Sequence, residues 1–220
     1  MSALIKSSLA RKYAMALSGL FLVVFLLQHF TINFTSVFSE EVFNEISHFM
    51  GNNPLVQFVL QPILIFGVVF HFVMGFVLEI QNRGARGNKY ASNNGAANSS
   101  WMSRNMIISG IVVLSFLGLH FYDFWLPEMN YKYVEVLPEN PTRYYKETVH
   151  KFENPIRVGL YVLSFGFLAL HLMHGFSSSF QSLGANNKYT RAIKGLTTAF
   201  AVGVPLGFVF IALFHHLTAF

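Results

Sequence analysis

Histidine is the residue type in this sequence whose placement most clearly indicates chemistry. The chain contains nine histidines, and seven of them lie within long apolar stretches. An ionisable side chain in such a segment costs about 2.5 kcal/mol or more and is usually kept for a function. For any single one of them, a neutral imidazole that hydrogen-bonds between helices is the structural alternative. The seven are His29, His71, His120, His171, His174, His215 and His216.

Four of these histidines lie at the same distance from the start of four successive stretches. Each lies 16 residues after the first residue of its stretch, and these first residues are Tyr13, Leu55, Arg104 and Pro155. Successive spanning helices run in opposite directions, so the first and third histidines share one half of the membrane, and the second and fourth share the other half. This predicts two pairs, His29 with His120 and His71 with His171. His215 and His216 lie near the outer end of the last stretch and are expected at the interface.

Two imidazoles that face each other in a helix bundle can bind the iron of a haem from both sides. A zinc site needs three or four ligands at one point, often with carboxylates or thiolates, and a proton relay needs acids between the histidines. The interiors of the apolar stretches offer neither, because the two acids that fall inside them, Glu79 and Asp123, are expected within four residues of a helix end. The sequence contains no cysteine, which excludes iron–sulphur ligation, thioether-linked haem and a thiol nucleophile. The pattern therefore predicts two b-type haems, one above the other.

The second and fourth stretches repeat a short motif one hundred residues apart. HFVMGF, which begins at His71, matches HLMHGF, which begins at His171. The glycines of the two motifs, Gly75 and Gly175, follow one helical turn after these histidines, where a flat macrocycle could approach the backbone. The repeat favours His171 as a ligand because it aligns with His71, and His174 stays the alternative.

The stretches that hold these histidines are long enough to cross a membrane. The composition is 53% hydrophobic and 11% charged, with a mean hydropathy of +0.46, which excludes an ordinary soluble domain. A hydrocarbon core about 30 Å thick needs about 20 apolar residues in a helix. We expect an all-α fold in which residues 1–220 form one membrane domain, a bundle of five transmembrane helices. The predicted spans are residues 13–37, 55–80, 104–126, 155–182 and 195–220.

Two polar segments between the spans are expected to be loops. Residues 82–103 are rich in Gly, Asn, Ser and Ala and are expected to form a flexible inner loop, and residues 127–154 a longer outer loop. Neither segment is large enough to be a domain.

Lysine and arginine are distributed unequally between the two ends of the predicted bundle. The N-terminus, with the loops after the second and fourth spans, carries ten, and the opposite end carries five. The positive-inside rule then places the N-terminus in the cytoplasm and the C-terminus outside. We expect a multi-pass protein of the inner, cytoplasmic membrane. The pI of about 9.5 reflects this asymmetry and does not indicate nucleic-acid binding.

The whole pattern resembles a known family, the five-helix, di-haem cytochrome b subunits of succinate:quinone oxidoreductases, which include succinate dehydrogenases and fumarate reductases. The likeness covers the whole chain. Its most specific part is FLLQH at residues 25–29, then EVFNEISHFM at residues 41–50, then one histidine on each of the next three spans. The resemblance implies haem iron ligation by His29 with His120 in the outer half and by His71 with His171 in the inner half.

The resemblance also implies partner chains. In this family, which serves the tricarboxylic acid cycle or fumarate respiration, a flavoprotein subunit carries out the dicarboxylate chemistry and an iron–sulphur subunit carries electrons. Both are anchored on the cytoplasmic face. The chain is then an enzyme subunit that passes electrons between the iron–sulphur subunit and quinone, with menaquinone as the expected quinone. Membrane lipid surrounds it, nucleic acid is not a partner, and a dimer of complexes stays an open alternative.

The resemblance places the quinone near the outer haem. Quinone carbonyls need hydrogen-bond donors beside an apolar slot. Some fumarate-reducing relatives carry an acid in the fourth helix, but residues 158–182 contain no Asp or Glu, which favours the succinate-oxidising direction. The polar quinone candidates are Gln28, Asn33, Asn44, Glu45 and His48.

Two other classes of protein stay open. The cytochrome b subunit of a membrane hydrogenase or formate dehydrogenase is also a multi-histidine bundle that delivers electrons to quinone. A non-haem transporter or structural anchor would use the histidines for packing, although a transporter would be expected to carry charges at the midplane. The segment 41–50 and the distribution of histidines over four spans favour the succinate:quinone oxidoreductase interpretation.

Overall fold

The computed structural model describes residues 7–84, 105–185 and 187–219, and within these ranges it is helical without any strand. Five helices are long and apolar enough to cross a membrane, which confirms the predicted all-α, multi-pass bundle. Most of the predicted inner loop, residues 82–103, lies outside the described residues. The spanning helices are α1 (Ser8–Thr35), α3 (Val56–Gly84), α4 (Met106–Val134), α6 (Pro155–Ser182) and α7 (Thr190–Thr218), and the shorter helices are α2 (Glu40–Asn52) and α5 (Arg143–Phe152).

Contacts between side chains show the direction in which the helices run. Ser18 of α1 meets His71 of α3, and Phe21, one turn further along α1, meets Gly67, one turn earlier in α3. The helices α1 and α3 are therefore antiparallel. We call the end of the bundle where α1 begins the N-side, and the opposite end the cap side.

Two glycines allow neighbouring helices to approach α1 closely. A Cβ added at Gly67 of α3 would lie 2.7 Å from a ring carbon of Phe21. A Cβ added at Gly207 of α7 would overlap the ring of Phe30. Packed carbon atoms prefer about 3.5–4.0 Å. Phenylalanine rings of α1 thus fill the space that a larger residue at either position would need.

The helix α4 is longer than the sequence predicted. The predicted span ends at residue 126, before Pro127, but the helix continues to Val134. Proline removes one backbone donor, and the chain accommodates it between π-helical turns at Phe121–Trp125 and Asn130–Val134. Asp123, expected within four residues of a helix end, therefore lies 11 residues before the end of α4, counted from 123 to 134.

The helices α2 and α5 form a cap over one end of the bundle. The helix α2 begins after Ser39, whose Oγ accepts the backbone N–H of Val42 at 3.2 Å. The backbone N–H of Tyr145 donates to Oδ1 of Asn44 at 2.8 Å, which joins α5 to α2. The predicted outer loop, residues 127–154, thus contains the end of α4 and the whole of α5.

Arg143 fastens α5 to the end of α4. Its guanidinium carbon lies 4.1 Å and 4.4 Å from the ring centres of Tyr131 and Tyr144. It also donates to Glu128 and Glu147. Burial by itself acts to lower the pKa of Arg143, but these two carboxylates hold that pKa above its ordinary value. The cap is therefore held by a charged side chain that is paired with two carboxylates.

The buried hydrophobic core lies in the cap-side half of the bundle. It is formed by α6 and α7 together with the end of α5, and α1 and α4 pack against it. The core residues are Phe152, Val158, Tyr161, Phe165, Val204, Phe208, Ile211 and Ala212.

Candidate functional site

Two pairs of imidazole rings lie inside the bundle at two levels. The ring centres of His29 in α1 and His120 in α4 are 5.7 Å apart, and the ring planes differ by 87°. The ring centres of His71 in α3 and His171 in α6 are 6.5 Å apart, and their planes differ by 72°. The structure therefore brings the four histidines together in the pairs that the depth argument predicted. Whether they bind iron stays a prediction.

The two levels are separated by about three helical turns. Ser18 of α1 touches His71 of the N-side pair, while His29 of the same helix belongs to the cap-side pair. Eleven residues at 1.5 Å each correspond to about 16 Å along the helix axis. The N-side pair and the cap-side pair are therefore stacked along the membrane normal of the predicted bundle.

Each histidine of the N-side pair packs against two consecutive residues, a serine and a glycine, on a neighbouring helix. Oγ of Ser18 lies 3.0 Å from Nδ1 of His71, and Oγ of Ser109 lies 3.3 Å from Nδ1 of His171. The glycine that follows each serine leaves room for the imidazole edge. A Cβ at Gly19 or Gly110 would lie 3.3 Å and 3.7 Å, respectively, from the Cε1 atom of the facing ring.

The cap-side pair is surrounded by aromatic rings. Phe25 stacks on His29 with ring centres 5.5 Å apart. Phe116 and Phe124 lie 5.8 Å and 5.2 Å from the ring centre of His120. These side chains exclude water from the imidazoles and limit their rotation.

The ring nitrogens of the cap-side pair have few partners. The side-chain amide nitrogen of Asn33 lies 3.4 Å from Nδ1 of His29, but its shorter bond, 2.8 Å, goes to the backbone carbonyl of the same residue. Nδ1 of His120 is buried and has no hydrogen-bond partner among the described residues. An unpartnered buried nitrogen costs about 1–3 kcal/mol. The Nδ1 atom of His120 is therefore left without a hydrogen bond by the described part of the protein.

The spacing of both pairs fits axial ligation of a haem iron. A metal–imidazole bond is about 2 Å long and the ring centre lies about 1 Å behind the nitrogen, so two axial imidazoles have centres about 6 Å apart. Both observed separations, 5.7 Å and 6.5 Å, are close to this value. Among the described residues no three His, Asp or Glu side chains converge on one point, as a tetrahedral ion would need. The described residues thus form two separate histidine pairs with this spacing.

The glycines of the repeated motif have neighbours that the sequence did not indicate. A Cβ at Gly75 would lie 3.6 Å from the methyl carbon of Met15, and a Cβ at Gly175 would lie 3.0 Å from that of Met106. The sequence analysis expected a flat macrocycle against these glycines. In this structure, thioether side chains of α1 and α4 approach them instead.

The remaining histidines of the spans have other contacts. His171, and not His174, faces His71; the Nε2 atom of His174 lies 3.3 Å from Oγ of Ser178. His215 was expected at the interface but is fully buried under the cap, with Nε2 2.8 Å from Oγ of Ser36. The sequence carries no local signal for this burial, because the cap that covers His215 comes from distant parts of the chain.

A buried acid beside the cap-side pair was missed by the sequence analysis. Asp123 is 1% exposed, accepts the Tyr161 hydroxyl at 2.9 Å and lies 3.4 Å from Nε of Arg157. The ring of Tyr161 lies 6.5 Å from that of His120. This triad places a buried carboxyl group, paired with an arginine, one side chain away from His120 of the cap-side pair.

The five predicted quinone residues occupy different settings. Asn44 is buried and engaged in the bond that joins the two cap helices, and His48 hydrogen-bonds within the cap. Gln28 and Glu45 are exposed. Asn33 is the one of the five that the structure places in contact with a paired histidine, His29.

A cavity of about 280 Å³ lies in the cap and not at either histidine pair. Its walls include side chains from the end of α2, the start of α3 and the start of α5, among them Asn52, Gln57, Arg143 and Tyr144. Tyr133 at the end of α4 closes another wall and donates its hydroxyl to Gln57 at 2.9 Å. The lining is mainly polar and already hydrogen-bonded.

Comparisons with family models, curated proteins and solved structures match nothing to this chain.

Proposed function

We propose that this chain is the membrane-anchor cytochrome b subunit of a succinate:quinone oxidoreductase. The observation that carries the proposal is the pair of two-histidine sites, 5.7 Å and 6.5 Å between ring centres, at two levels of a five-helix bundle. Two b-type haems bound there would supply one-electron transfer across the bundle.

The side chains of this protein would bind and shield the two groups. The residues that would hold the iron, each through one imidazole nitrogen, are His29, His71, His120 and His171. The aromatic rings around the cap-side pair would exclude water, and the serines behind the N-side pair would orient its imidazoles. The helical scaffold would keep the two levels about 16 Å apart along α1.

The proposal includes an orientation and two partner chains. The ten Lys and Arg residues that the sequence assigns to the N-terminus and to the loops after the second and fourth spans favour a cytoplasmic N-side in the inner membrane. The sequence has no cysteine to ligate iron–sulphur clusters, so an iron–sulphur subunit and a flavoprotein subunit would dock on the N-side. Electrons from succinate would then move from the N-side towards quinone near the cap side.

Quinone, in this proposal menaquinone, would bind near the cap-side pair. Asn33 is favoured among the five candidates because its amide nitrogen, a hydrogen-bond donor, lies beside His29. The succinate-oxidising direction is favoured because residues 158–182 hold no acid that could carry compensating protons.

The alternatives are the cytochrome b subunit of a hydrogenase or formate dehydrogenase, and a protein without haem. The arrangement of one paired histidine on each of four helices, two at each level, supports a di-haem cytochrome over a transporter. The likeness of residues 41–50 to the succinate:quinone oxidoreductase family supports the first class of cytochrome.

A spectrum and a haem assay test the proposal. The purified complex is expected to show dithionite-reducible b-type haem and two haems per chain by the pyridine haemochrome assay. Succinate, but not hydrogen or formate, should reduce the haem in the intact complex. One haem or none per chain would overturn the di-haem assignment, and reduction by hydrogen or formate alone would favour the alternative cytochrome class.

A further inference from the structure

The helices α1 and α4 carry the same sequence motif. Residues 15–29 and residues 106–120 both read Met-x-x-Ser-Gly-x9-His. The serine and the final histidine are eleven residues apart, about three turns, so they project from the same face of the helix. One helix face thus supplies a histidine to the cap-side pair and a serine to the N-side pair.

The structure uses the two copies in the same way. Ser18 of α1 contacts His71 of α3, and Ser109 of α4 contacts His171 of α6, in both cases through the Oγ and Nδ1 atoms. The glycine after each serine faces the Cε1 atom of the same imidazole. The α1–α3 and α4–α6 helix pairs are therefore equivalent around the N-side site.

The serine hydroxyls are placed to act as acceptors towards these imidazoles. Ser18 donates its one proton to the backbone carbonyl of Met15 at 2.9 Å, and Ser109 donates to that of Met106 at 2.9 Å. A hydroxyl has a single proton and two lone pairs. With the serine proton on the backbone carbonyl, the Nδ1 atom of His71 or His171 carries the proton of the Oγ–Nδ1 hydrogen bond, and the Nε2 atom of that ring is unprotonated.

The cap-side pair lacks this arrangement. The nitrogen nearest Nδ1 of His29 is the amide of Asn33, which is a donor, and Nδ1 of His120 has no partner among the described residues. Of the two histidine pairs, the N-side pair is thus the one whose Nδ1 atoms both face a hydroxyl acceptor.

We infer that Ser18 and Ser109 are positioning residues for a metal group bound between His71 and His171. This inference rests on the proposed function. Each serine accepts a hydrogen bond from the Nδ1–H group and so selects the imidazole tautomer with a free Nε2 atom. The hydrogen bond makes the imidazole a more basic ligand. A more basic ligand stabilises ferric over ferrous iron. The two serines then lower the reduction potential of the N-side haem and leave that of the cap-side haem unaffected.

Serine variants in the intact complex test the inference by potentiometric titration and low-spin haem electron paramagnetic resonance. Ser18→Ala and Ser109→Ala are expected to shift the reduction equilibrium of the N-side haem about tenfold towards ferrous, which is about 59 mV for one electron. Ser18→Thr keeps the hydroxyl and should retain the wild-type potential. The control is Ser115→Ala, because Ser115 also back-bonds along α4, to Ile111 at 3.0 Å, but is exposed.

Each outcome either supports or overturns the role of the two serines. A raised potential or a changed resonance of the N-side haem, or loss of that haem alone in the double variant, supports the inference when Ser115→Ala behaves as wild type. Unchanged potentials and resonances in both alanine variants would overturn it, as would equal shifts of both haems. A wild-type complex without two haems would instead overturn the proposed function, so the two failures are distinguishable.

Discussion

The N-side and cap-side halves of the bundle surround similar histidine pairs with different chemistry. Around the N-side pair, two copies of one motif supply hydroxyl acceptors and glycine gaps. Around the cap-side pair, aromatic rings and the buried Asp123 replace them. Phe25 and Phe116 stand four residues before the histidine in each copy of the motif, whereas Asp123 and Phe124 follow the motif in α4. The repeat therefore positions both histidine pairs, while residues outside it in α4, Tyr161 of α6 and Phe208 of α7 complete the surroundings of the cap-side pair.

Replacing single histidines should remove one haem at a time if the two sites are independent. We expect His71→Ala or His171→Ala to lower the haem content from two to one per chain and to leave the cap-side haem. His29→Ala or His120→Ala should have the converse effect, because each pair lies at its own level. Pyridine haemochrome content and redox titration measure this.

The matched control for these variants is His174→Ala, which changes a histidine of α6 that lies one turn from the pair. It should keep both haems. If His29→Ala and His71→Ala removed the same haem, the division into two pairs would be wrong.

Electron transfer from the N-side to the cap side should respond to the membrane potential. Moving an electron outward across the full membrane is worth about 2.3 kcal/mol per 100 mV. With a negative interior this energy favours reduction of a low-potential quinone. Succinate oxidation by quinone in sealed vesicles should therefore slow several-fold when an uncoupler collapses the potential.

Succinate oxidation by a soluble dye is the control for the uncoupler, because dye reduction at the soluble subunits bypasses the membrane. Quinone reduction that ignores the uncoupler would place quinone at the N-side or require a proton path beside the electrons. Either result would show that the two halves are not used in series in the direction proposed.

Ion pairs in the two halves should differ in their contribution to stability. Asp123→Ala removes a fully buried carboxylate and leaves Tyr161 and the partly exposed Arg157 without a partner, at a cost of about 3 kcal/mol. Glu79→Ala breaks an exposed pair with Arg83 on the N-side and should cost about 0.5 kcal/mol or less. Thermal unfolding in detergent compares the two, and equal losses would contradict the difference in burial.

A further stability comparison tests the close packing of the cap-side half. Gly207→Ala should destabilise the protein by about 1–3 kcal/mol, because the new Cβ would overlap Phe30. Gly203→Ala, one turn earlier in α7 and facing open space, should be neutral or stabilising by up to about 1 kcal/mol from helix propensity. Unfolding midpoints in detergent measure both, and a stabilised Gly207→Ala variant would show that Phe30 moves aside at little cost.

The sequence predicted the features that depend on local composition. Apolar length defines a membrane span without any partner helix, so all five helices were found, although the starts and ends moved by several residues. Depth along antiparallel helices was also enough to predict which histidines are brought together, because rise per residue is constant in a helix. Proline was misleading at position 127, where π-helical turns let α4 continue.

Only the tertiary structure decided which side chains contact each other around the two histidine pairs. The burial of Asp123 and His215 depends on α5, α6 and the cap, which lie far from them in the chain. The motif shared by α1 and α4 is visible in the sequence, but the contact of Ser18 with His71 depends on how each helix is rotated about its axis. That rotation results from side-chain packing between helices, and in a segment that is apolar all round hydropathy does not encode it.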